Sequence, residues 1–454
     1  MLSTPYDDVR AGAEAAREAV AELGLVADEP LQQYVNGLGQ RLARAAPARG
    51  FVYRFHVVDQ WPPNAFSLPG GAIFVSRGLL ALSNSEDELA NVLAHEIMHA
   101  AQRHAAGRQA VGRGLSPFSL GWLGAAQVAA YARDQERSAD ADGQRLAASA
   151  GFDPRAMGAF LRSLEKIEIL RMGAARLPTF LDTHPGATER VAATATLAQQ
   201  ITWTPRPDAL DRAAYLRRLD GLVLGENPSQ GILRDGRFLH PDLDLAVNFP
   251  DGWRVDNGAN AVVALSPDAD ARFAIQFAGR GDDPRAPAAA FLAGPARTFR
   301  AQISEAQPLQ LGCCAAYQVR GHVATREGGV SAQLTWLTWR GNLYLLSAAA
   351  LGPVAQKYFG RARAMARSFR PLSAEERSSI EVERLRVALA LEGETLPELL
   401  ARTGSSWDVQ RAAIANDVVA TASLGRGDLL KIAVREPYAP ASPSPGSAKS
   451  EEPR

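Results

Sequence analysis

The segment that most constrains the fold of this 454-residue chain is a histidine-rich helix. Three of the seven histidines fall within residues 94–104, and His95 and His99 are four positions apart. Because an α-helix repeats about every 3.6 residues, these two imidazoles lie on one face, one turn apart. Ser85 and Glu88 have the spacing of a capping box, which predicts where the helix begins. The sequence therefore predicts an amphipathic helix that presents two imidazoles side by side.

Two stacked imidazoles beside a carboxylate are suited to binding zinc. Glu96 directly follows His95, and H-E-x-x-H on a helix is the signature of zinc metallopeptidases, in which the glutamate is the general base. The alternative is an amphipathic helix whose histidines are coincidental. A catalytic zinc ion usually has three protein ligands, so the hypothesis requires another ligand elsewhere in the chain.

A second predicted helix, residues 129–151, contains a candidate for that ligand. Glu136 and Asp140 are four residues apart and share a helix face. Glu136 could bind the metal directly, and Asp140 could accept a hydrogen bond from the imidazole of a ligand. Most such carboxylate pairs are merely solvated, so this pair gains its meaning from the histidines upstream.

The combination of H-E-x-x-H with E-x-x-A-D at residues 136–140 resembles the gluzincin metallopeptidases of the CAAX prenyl protease and HtpX-like type, including their soluble periplasmic branch. Three further stretches resemble segments of the same branch: residues 64–80, 150–164 and 183–192. The resemblance covers roughly residues 8 to 200. It implies a mainly helical zincin-like domain with a small sheet, one Zn²⁺ per chain and polypeptide substrates.

The resemblance also implies a role for each matching residue. The metal ligands would be His95, His99 and Glu136. Glu96 would deprotonate the attacking water, and Asp140 would support a histidine ligand. His184 would lie near the metal, either as a catalytic residue that stabilises the oxyanion or as a fourth ligand in a closed, self-inhibited state. Arg190 would fix that loop or the cleft.

Residues 70–76 are expected to line the substrate cleft. Their β-branched and aromatic side chains indicate a strand, and paired glycines allow a backbone to approach closely. An edge strand could bind an extended peptide through its free main-chain groups. The predicted substrate-binding residues are Asn64, Gly70, Gly71, Ala72, Ile73 and Phe74. The alternative is that residues 72–76 form an ordinary core strand.

The remaining histidines are predicted to be structural. His104 lies nine residues after His95, so a continuous helix would turn it away from the ligand face. His56 falls in a predicted strand, and His240 belongs to no evident cluster of reactive side chains.

Composition argues against several classes of protein. Lys plus Arg and Asp plus Glu number 49 each, so no strong field favours nucleic acid or an acidic membrane. No apolar run of about 20 residues predicts a transmembrane helix. Residues 115–132 predict either a hairpin that touches a membrane or, as we favour, a buried connector. The adjacent Cys313 and Cys314 predict no disulfide framework.

Changes of pattern along the chain predict an α+β multidomain protein. The predicted parts are a peptidase domain at 1–205, a linker at 206–235, an α+β sheet domain at 236–372, a βααβ module at 380–437 and a disordered tail at 438–454. The sheet domain is similar at its start to PsbP-like domains. Residues 383–435 resemble a LysM module, which implies peptidoglycan binding, with a packing role as the alternative.

The leading hypothesis is a zinc endopeptidase that hydrolyses misfolded envelope proteins with water activated by Glu96. One alternative is a gated, largely non-proteolytic protein that acts like a chaperone or binds peptidoglycan. Another is a cell-wall enzyme that cleaves peptidoglycan peptides. The resemblance implies the bacterial periplasm or cell envelope, but no signal peptide opens this sequence, so a cytoplasmic location stays open.

Overall fold

The computed structural model describes residues 5–104, 131–171, 179–324 and 329–439. Two compact units are present. Unit 1 comprises Met1–Gly225 with Glu383–Arg435, and unit 2 comprises Glu226–Val382 with Glu436–Arg454. The predictions for residues 115–130 and for the tail from residue 440 lie outside the described residues. Within the described residues, no helix has both the length and the apolar character that crossing a membrane requires.

The N-terminal segment of unit 1 is mainly helical, with one small sheet. Its helices are α1 (Pro5–Leu23), α2 (Glu29–Ala45), α3 (Arg77–Leu82), α4 (Glu86–Ala101), α5 (Arg133–Ser149), α6 (Ala156–Arg171), α7 (Phe180–Thr183), α8 (Ala187–Ala198) and α9 (Arg212–Arg218). Its strands are β1 (Arg54–Val58), β2 (Ala65–Ser67), β3 (Ala72–Ser76) and β4 (Val223–Leu224). The first three strands form a sheet in the order β1-β3-β2.

Helix α4 is the predicted histidine-rich helix, and its first turn explains where it begins. The Ser85 hydroxyl accepts a hydrogen bond from the Glu88 backbone N–H at 3.1 Å. The Glu88 carboxylate reaches one residue further back than in a capping box and accepts from the Asn84 N–H at 2.7 Å. Three acidic residues in the first turn complement the helix dipole. Nearly every side chain of α4 is buried, so both of its faces contact protein.

Helix α5 packs closely against α4 at a glycine. A Cβ atom added to Gly143 would lie 3.0 Å from both the backbone nitrogen and the Cα of His95. A side chain here would be tighter than most packed contacts, so the glycine helps the two predicted ligand helices to approach each other. The approach places the backbone of His95 directly against α5.

Unit 2 is an α+β domain. Its strands are β5 (Ile232–Arg234), β6 (Arg237–His240), β7 (Leu245–Asn248), β8 (Arg254–Asn257), β9 (Ala261–Leu265), β10 (Ala271–Arg280), β11 (Gln302–Gln310), β12 (Ala315–Val323), β13 (Val330–Trp339) and β14 (Asn342–Leu351). Its helices are α10 (Arg285–Ala293), α11 (Pro295–Thr298), α12 (Ala355–Arg367) and α13 (Ala374–Ser378). Seven strands form a sheet in the order β11-β12-β13-β14-β10-β9-β8, and β5-β6-β7 form a second sheet.

Cys313 and Cys314 lie in the turn between β11 and β12, and both are free cysteines.

The C-terminal segment of unit 1 completes the fold. It contains β15 (Glu381–Leu389), α14 (Leu396–Thr403), α15 (Val409–Asn416) and β16 (Leu429–Pro437), so its elements follow the order strand, helix, helix, strand. β4, β15 and β16 form a sheet in the order β16-β15-β4, with β15 antiparallel to β4. Buried side chains of both segments, including Leu161 and Leu430, share one hydrophobic core.

These contacts differ from the predicted domain boundaries. The expected linker at 206–235 contains α9 and β4. The expected module at 380–437 shares a sheet and a core with the N-terminal segment of unit 1. The reason is that β4 is only two residues long and obtains its backbone partner from a strand that follows some 160 residues later. Local pattern cannot detect a pairing between such distant segments.

Candidate metal centre

Four side chains from three segments of unit 1 converge in its interior. His95 and His99 come from α4, Glu136 comes from α5, and His184 directly follows α7. One donor atom of each lies within 4.8 Å of the donor atoms of the others, and all four residues are buried. The structure thus brings together the three predicted ligands and His184.

The short distances in this group join atoms that normally bind cations. His95 Nε2 lies 2.9 Å from His99 Nε2 and 3.2 Å from His184 Nδ1. Glu136 Oε1 lies 2.9 Å from His184 Nδ1 and 3.1 Å from His99 Nε2. Two imidazole nitrogens at 2.9 Å cannot both carry protons, so at least one of the two offers a lone pair.

Burial has a clear consequence for the protonation of the group. It lowers the pKa of His99 well below the ordinary value of 6.5, and the neighbouring His95 lowers that pKa further. Burial alone would raise the pKa of Glu136, but His184, a hydrogen bond from His99 and the Arg190 guanidinium together lower it. For His99 and Glu136 these shifts favour the neutral imidazole and the ionised carboxylate, which are the forms that bind a metal ion. Burial acts to lower the pKa of His95, but the carboxylates of Asp140 and Glu136 raise it.

Asp140 and Arg190 lie outside the group of four residues and contact three of its members. His95 Nδ1 lies 2.9 Å from Asp140 Oδ1, so the carboxylate faces the outward nitrogen of the ring while Nε2 is directed at the centre. Arg190 donates two hydrogen bonds to Asp140, each at 2.7 Å, and its Nη1 lies 2.6 Å from Glu136 Oε2. A further bond of 3.0 Å runs from Arg190 to the His184 carbonyl. Arg190 therefore joins α8, α5 and the His184 loop.

Glu96 lies beside the group without belonging to it. Its side chain is fully buried, and among the described residues neither of its carboxylate oxygens has a hydrogen-bond partner. His184 Nε2 is 3.4 Å from Glu96 Oε1. A buried carboxylate without a hydrogen-bond donor is costly in a purely structural role, so its surroundings point to a bound group or a reaction.

The four converging residues fit zinc. Three imidazole nitrogens and one carboxylate oxygen form a donor set that zinc commonly accepts, and burial shields the site from competing water. The facing nitrogens of His95 and His99 are an arrangement that a cation between them would satisfy.

Sequence reasoning missed two residues that contact His99. Tyr131 stacks on its ring with 3.9 Å between the centroids. His104, which was predicted to point away, instead places its Nδ1 3.0 Å from His99 Nδ1. That prediction was wrong because α4 ends at Ala101 and the chain turns back through Arg103, which has a positive φ of 60°. The departure of a non-glycine residue from helical φ has no reliable signal in the sequence.

The predicted substrate-binding strand occupies a different place in the sheet. β3, which contains Ala72, Ile73 and Phe74, is the central strand, parallel to β1 and antiparallel to β2. Its backbone groups already pair on both sides, so the expectation of an edge strand was wrong and the core-strand alternative describes it. Both β-periodicity and burial look alike for edge and central strands of a small sheet.

The two glycines before β3 serve a turn. Gly70 and Gly71 have φ values of 82° and 90° and connect β2 to β3. A Cβ on Gly71 would lie 2.6 Å from the Phe51 ring, so the close approach is to protein. Asn64 precedes β2, and its buried amide has no hydrogen-bond partner among the described residues. The edge of the sheet on this side is β2.

Two imidazoles of an H-E-x-x-H helix, together with a glutamate from a second helix, are the kind of donor set found in zinc metallopeptidases of the gluzincin type. The family model for peptidase family M48 matches this chain at residues 29–130 and 118–198. This part of the chain is therefore similar to peptidase family M48.

Named relatives share this part of the chain. The beta-barrel assembly-enhancing protease of Yersinia pestis is 29% identical over 230 residues, which cover 45% of this chain and 47% of the relative. The mitochondrial metalloendopeptidase OMA1 of Schizosaccharomyces pombe is 31% identical over 201 residues, which cover 40% of this chain and 58% of the relative. The chain thus spans about half the length of these relatives.

The solved structure of cyanobacterial PsbP from Synechocystis sp. PCC 6803 is 16% identical, covers 33% of this chain and 99% of its own, and has a TM-score of 0.26. A score this low supports no statement about the fold, and the PsbP-like character of residues 236–372 stays a prediction.

Proposed function

We propose that this protein is a zinc endopeptidase in which His95, His99 and Glu136 hold the metal and Glu96 is the general base. The observation that carries the proposal is the convergence of the H-E-x-x-H imidazoles with a glutamate from α5 in a buried group. Zinc would supply a Lewis acid that polarises the scissile carbonyl and acidifies water at the site. The names of both relatives, a protease and a metalloendopeptidase, agree with this activity.

The residues of the chain would perform the proton transfers. Glu96 has two buried oxygens with no hydrogen-bond donor among the described residues, so its carboxylate is free to accept a proton from water. It would then return that proton to the leaving amine. Asp140 would hold His95 in the tautomer that keeps Nε2 unprotonated, and Arg190 would hold Asp140 and Glu136 in place.

An extended substrate would have to use β2 rather than β3. The backbone of β3 is paired on both sides, whereas β2 is the terminal strand of the sheet, and α4 packs against it. Among the described residues no further strand pairs with its outer edge, whose main-chain groups could pair with a peptide strand. Asn64, at the start of β2, has a buried amide that could bind the substrate backbone.

A gated form of the enzyme is the second candidate, and the position of His184 favours it. His184 Nδ1 belongs to the converging donors, and its Nε2 faces Glu96 at 3.4 Å. Four protein ligands are typical of closed structural zinc sites, whereas catalytic sites leave one position open. Proteolysis would then require His184 to move away, and without that movement the protein would act as a binding or chaperone-like protein.

Casein digestion by the wild type, Glu96→Gln and His184→Ala tests these proposals. The endopeptidase proposal predicts cleavage by the wild type that Glu96→Gln abolishes while zinc content stays the same. Gating predicts cleavage only, or much faster, in His184→Ala. If none of the three proteins cleaves casein although all bind zinc, and the wild type cleaves muropeptides, the cell-wall alternative replaces both.

We further propose a bacterial envelope location with misfolded envelope proteins as substrates. The support is the likeness to proteases named for β-barrel assembly and the resemblance of the motifs to periplasmic peptidases. Peptidoglycan binding by residues 383–435 and membrane contact remain predictions from the sequence. Isothermal titration of the protein with soluble N-acetylglucosamine oligomers would test the first of these.

A further inference from the structure

The two nitrogens of the His99 ring face different partners. Nε2 lies 2.9 Å from His95 Nε2 and 3.1 Å from Glu136 Oε1, so it faces the centre of the donor group. Nδ1 faces the other way and lies 3.0 Å from the Nδ1 of His104. Both rings sit at the end of α4, and His104 is partly buried.

The chemistry of imidazole assigns the protons in this contact. A neutral ring that offers the Nε2 lone pair to a metal carries its proton on Nδ1. The Nδ1–H of His99 must therefore donate, and the Nδ1 of His104 must accept. His104 then carries its own proton on Nε2. The opposite tautomer of His104 would place two N–H groups against each other at 3.0 Å.

The fold makes this contact through the turn that ends α4. Gln102 is held to α5 by a bond of 2.8 Å to Asp142, and its Oε1 accepts from the Ser138 hydroxyl at 3.0 Å. Arg103 then adopts a positive φ, which a non-glycine residue rarely does without compensation. The turn brings His104 back beside His99, five residues earlier, where a continuing helix would have carried it to a different face.

The two helix histidines consequently have unlike supports. His95 has the carboxylate of Asp140 2.9 Å from its Nδ1, and that carboxylate is itself paired with Arg190. His99 has a neutral imidazole in the equivalent position and the face of Tyr131 against its ring. A neutral acceptor fixes the ring orientation without adding a second negative charge behind the ligands.

We propose that His104 is a positioning residue, which accepts the Nδ1–H of His99 and so fixes the tautomer and ring orientation that present Nε2 to zinc. The inference rests on the proposed zinc peptidase function. Replacement of an outer partner of a ligating histidine typically weakens metal affinity about 10-fold to 100-fold.

Zinc affinity of the full-length protein, measured by competition with a chelator, tests the role. We expect His104→Phe to bind zinc about 10-fold to 100-fold more weakly than the wild type. His104→Asn should stay within about threefold of the wild type, because its Oδ1 can take the place of Nδ1 as the acceptor. His322→Phe is the matched control, since His322 contacts Ser331 in unit 2, and should leave the affinity unchanged.

Nitrogen-15 NMR of histidine side chains in the zinc-bound protein gives a second readout, which a merely structural role would not predict. We expect His99 protonated on Nδ1 and His104 protonated on Nε2. This measurement uses the wild type and remains decisive if His104→Phe does not fold.

The outcomes separate the inference from the function beneath it. A wild type that binds no zinc overturns both. A wild type that binds zinc, together with a folded His104→Phe of equal affinity or a His104 protonated on Nδ1, overturns the positioning role alone.

Discussion

Lys431 of β16 offers a quantitative test of whether the two segments of unit 1 unfold together. Its side chain is completely buried, and its ammonium donates to three carbonyls at the end of α3. The acceptors are Ala81 O at 2.9 Å, Leu82 O at 3.0 Å and Ser83 O at 2.9 Å. The last carbonyls of a helix have no partners within the helix, so Lys431 satisfies groups that would otherwise be unpaired.

We expect Lys431→Met to destabilise unit 1 by about 3 to 5 kcal/mol. Three hydrogen bonds from a charged donor are worth about 1.5 to 3 kcal/mol each. Their loss is partly offset because an ammonium ion no longer has to be buried, a cost of several kcal/mol. Methionine keeps most of the apolar stem, so the difference reports on the ammonium group.

Hydrogen exchange of the α4 amides in increasing urea would measure this loss. Burial lowers the pKa of Lys431 to about 7, so the assay belongs at about pH 6, where the ammonium has all three donors. Lys166→Met is the control, because Lys166 is half exposed and pairs with Asp417 at 3.4 Å. It should change the free energy of unfolding by at most about 1 kcal/mol.

A loss below about 1 kcal/mol in Lys431→Met would refute the reasoning, since the cost of burying the charge would then cancel its hydrogen bonds. A second refuting result would be unchanged hydrogen exchange in α4 together with faster exchange confined to β16. That result would show that the C-terminal segment of unit 1 unfolds independently of its N-terminal segment.

Three further predictions concern other parts of the molecule. Gly143→Ala should cost unit 1 about 1 to 3 kcal/mol in thermal unfolding, because the new Cβ would lie 3.0 Å from the His95 backbone, whereas Gly37→Ala, with open space around it, should not destabilise. In calorimetry, zinc at about 100 times its dissociation constant should stabilise unit 1 by about 2.7 kcal/mol and leave unit 2 unchanged, and equal shifts in both would contradict a site confined to unit 1. Burial lowers the pKa of His240 from 6.5 to about 4, so the unfolded chain binds a proton that the folded chain does not. The stability of unit 2 should therefore fall by up to about 3 kcal/mol between pH 6.5 and pH 4, and His240→Asn should remove that dependence.

Helical spacing alone predicted several residues of the candidate site. The i, i+4 pairs His95 with His99 and Glu136 with Asp140 are local patterns, and each places two side chains on one helix face wherever that helix lies. The start of α4 was equally local, because Ser85 accepts from an N–H three residues later. Such features depend only on residues within one or two turns, so a single sequence contains them in full.

The position of β3 within its sheet could not be predicted from local sequence pattern. The sequence indicated a strand at residues 70–76, and the structure has one at Ala72–Ser76. Whether that strand lies at the edge depends on which other strands pair with it. β1 supplies one partner from about 18 residues earlier and β2 supplies the other, so β3 lies between them.

The sequence by itself determined the chemistry of this protein, namely a helix with two imidazoles and a glutamate, and a second helix with two carboxylates. The tertiary structure decided which groups surround that chemistry: His104 behind His99, His184 among the donors, and the Lys431 ammonium beneath α3. The physical reason is the separation along the chain over which each effect acts. Backbone periodicity acts over a few residues, whereas burial brings together groups whose separation along the chain leaves no repeating pattern.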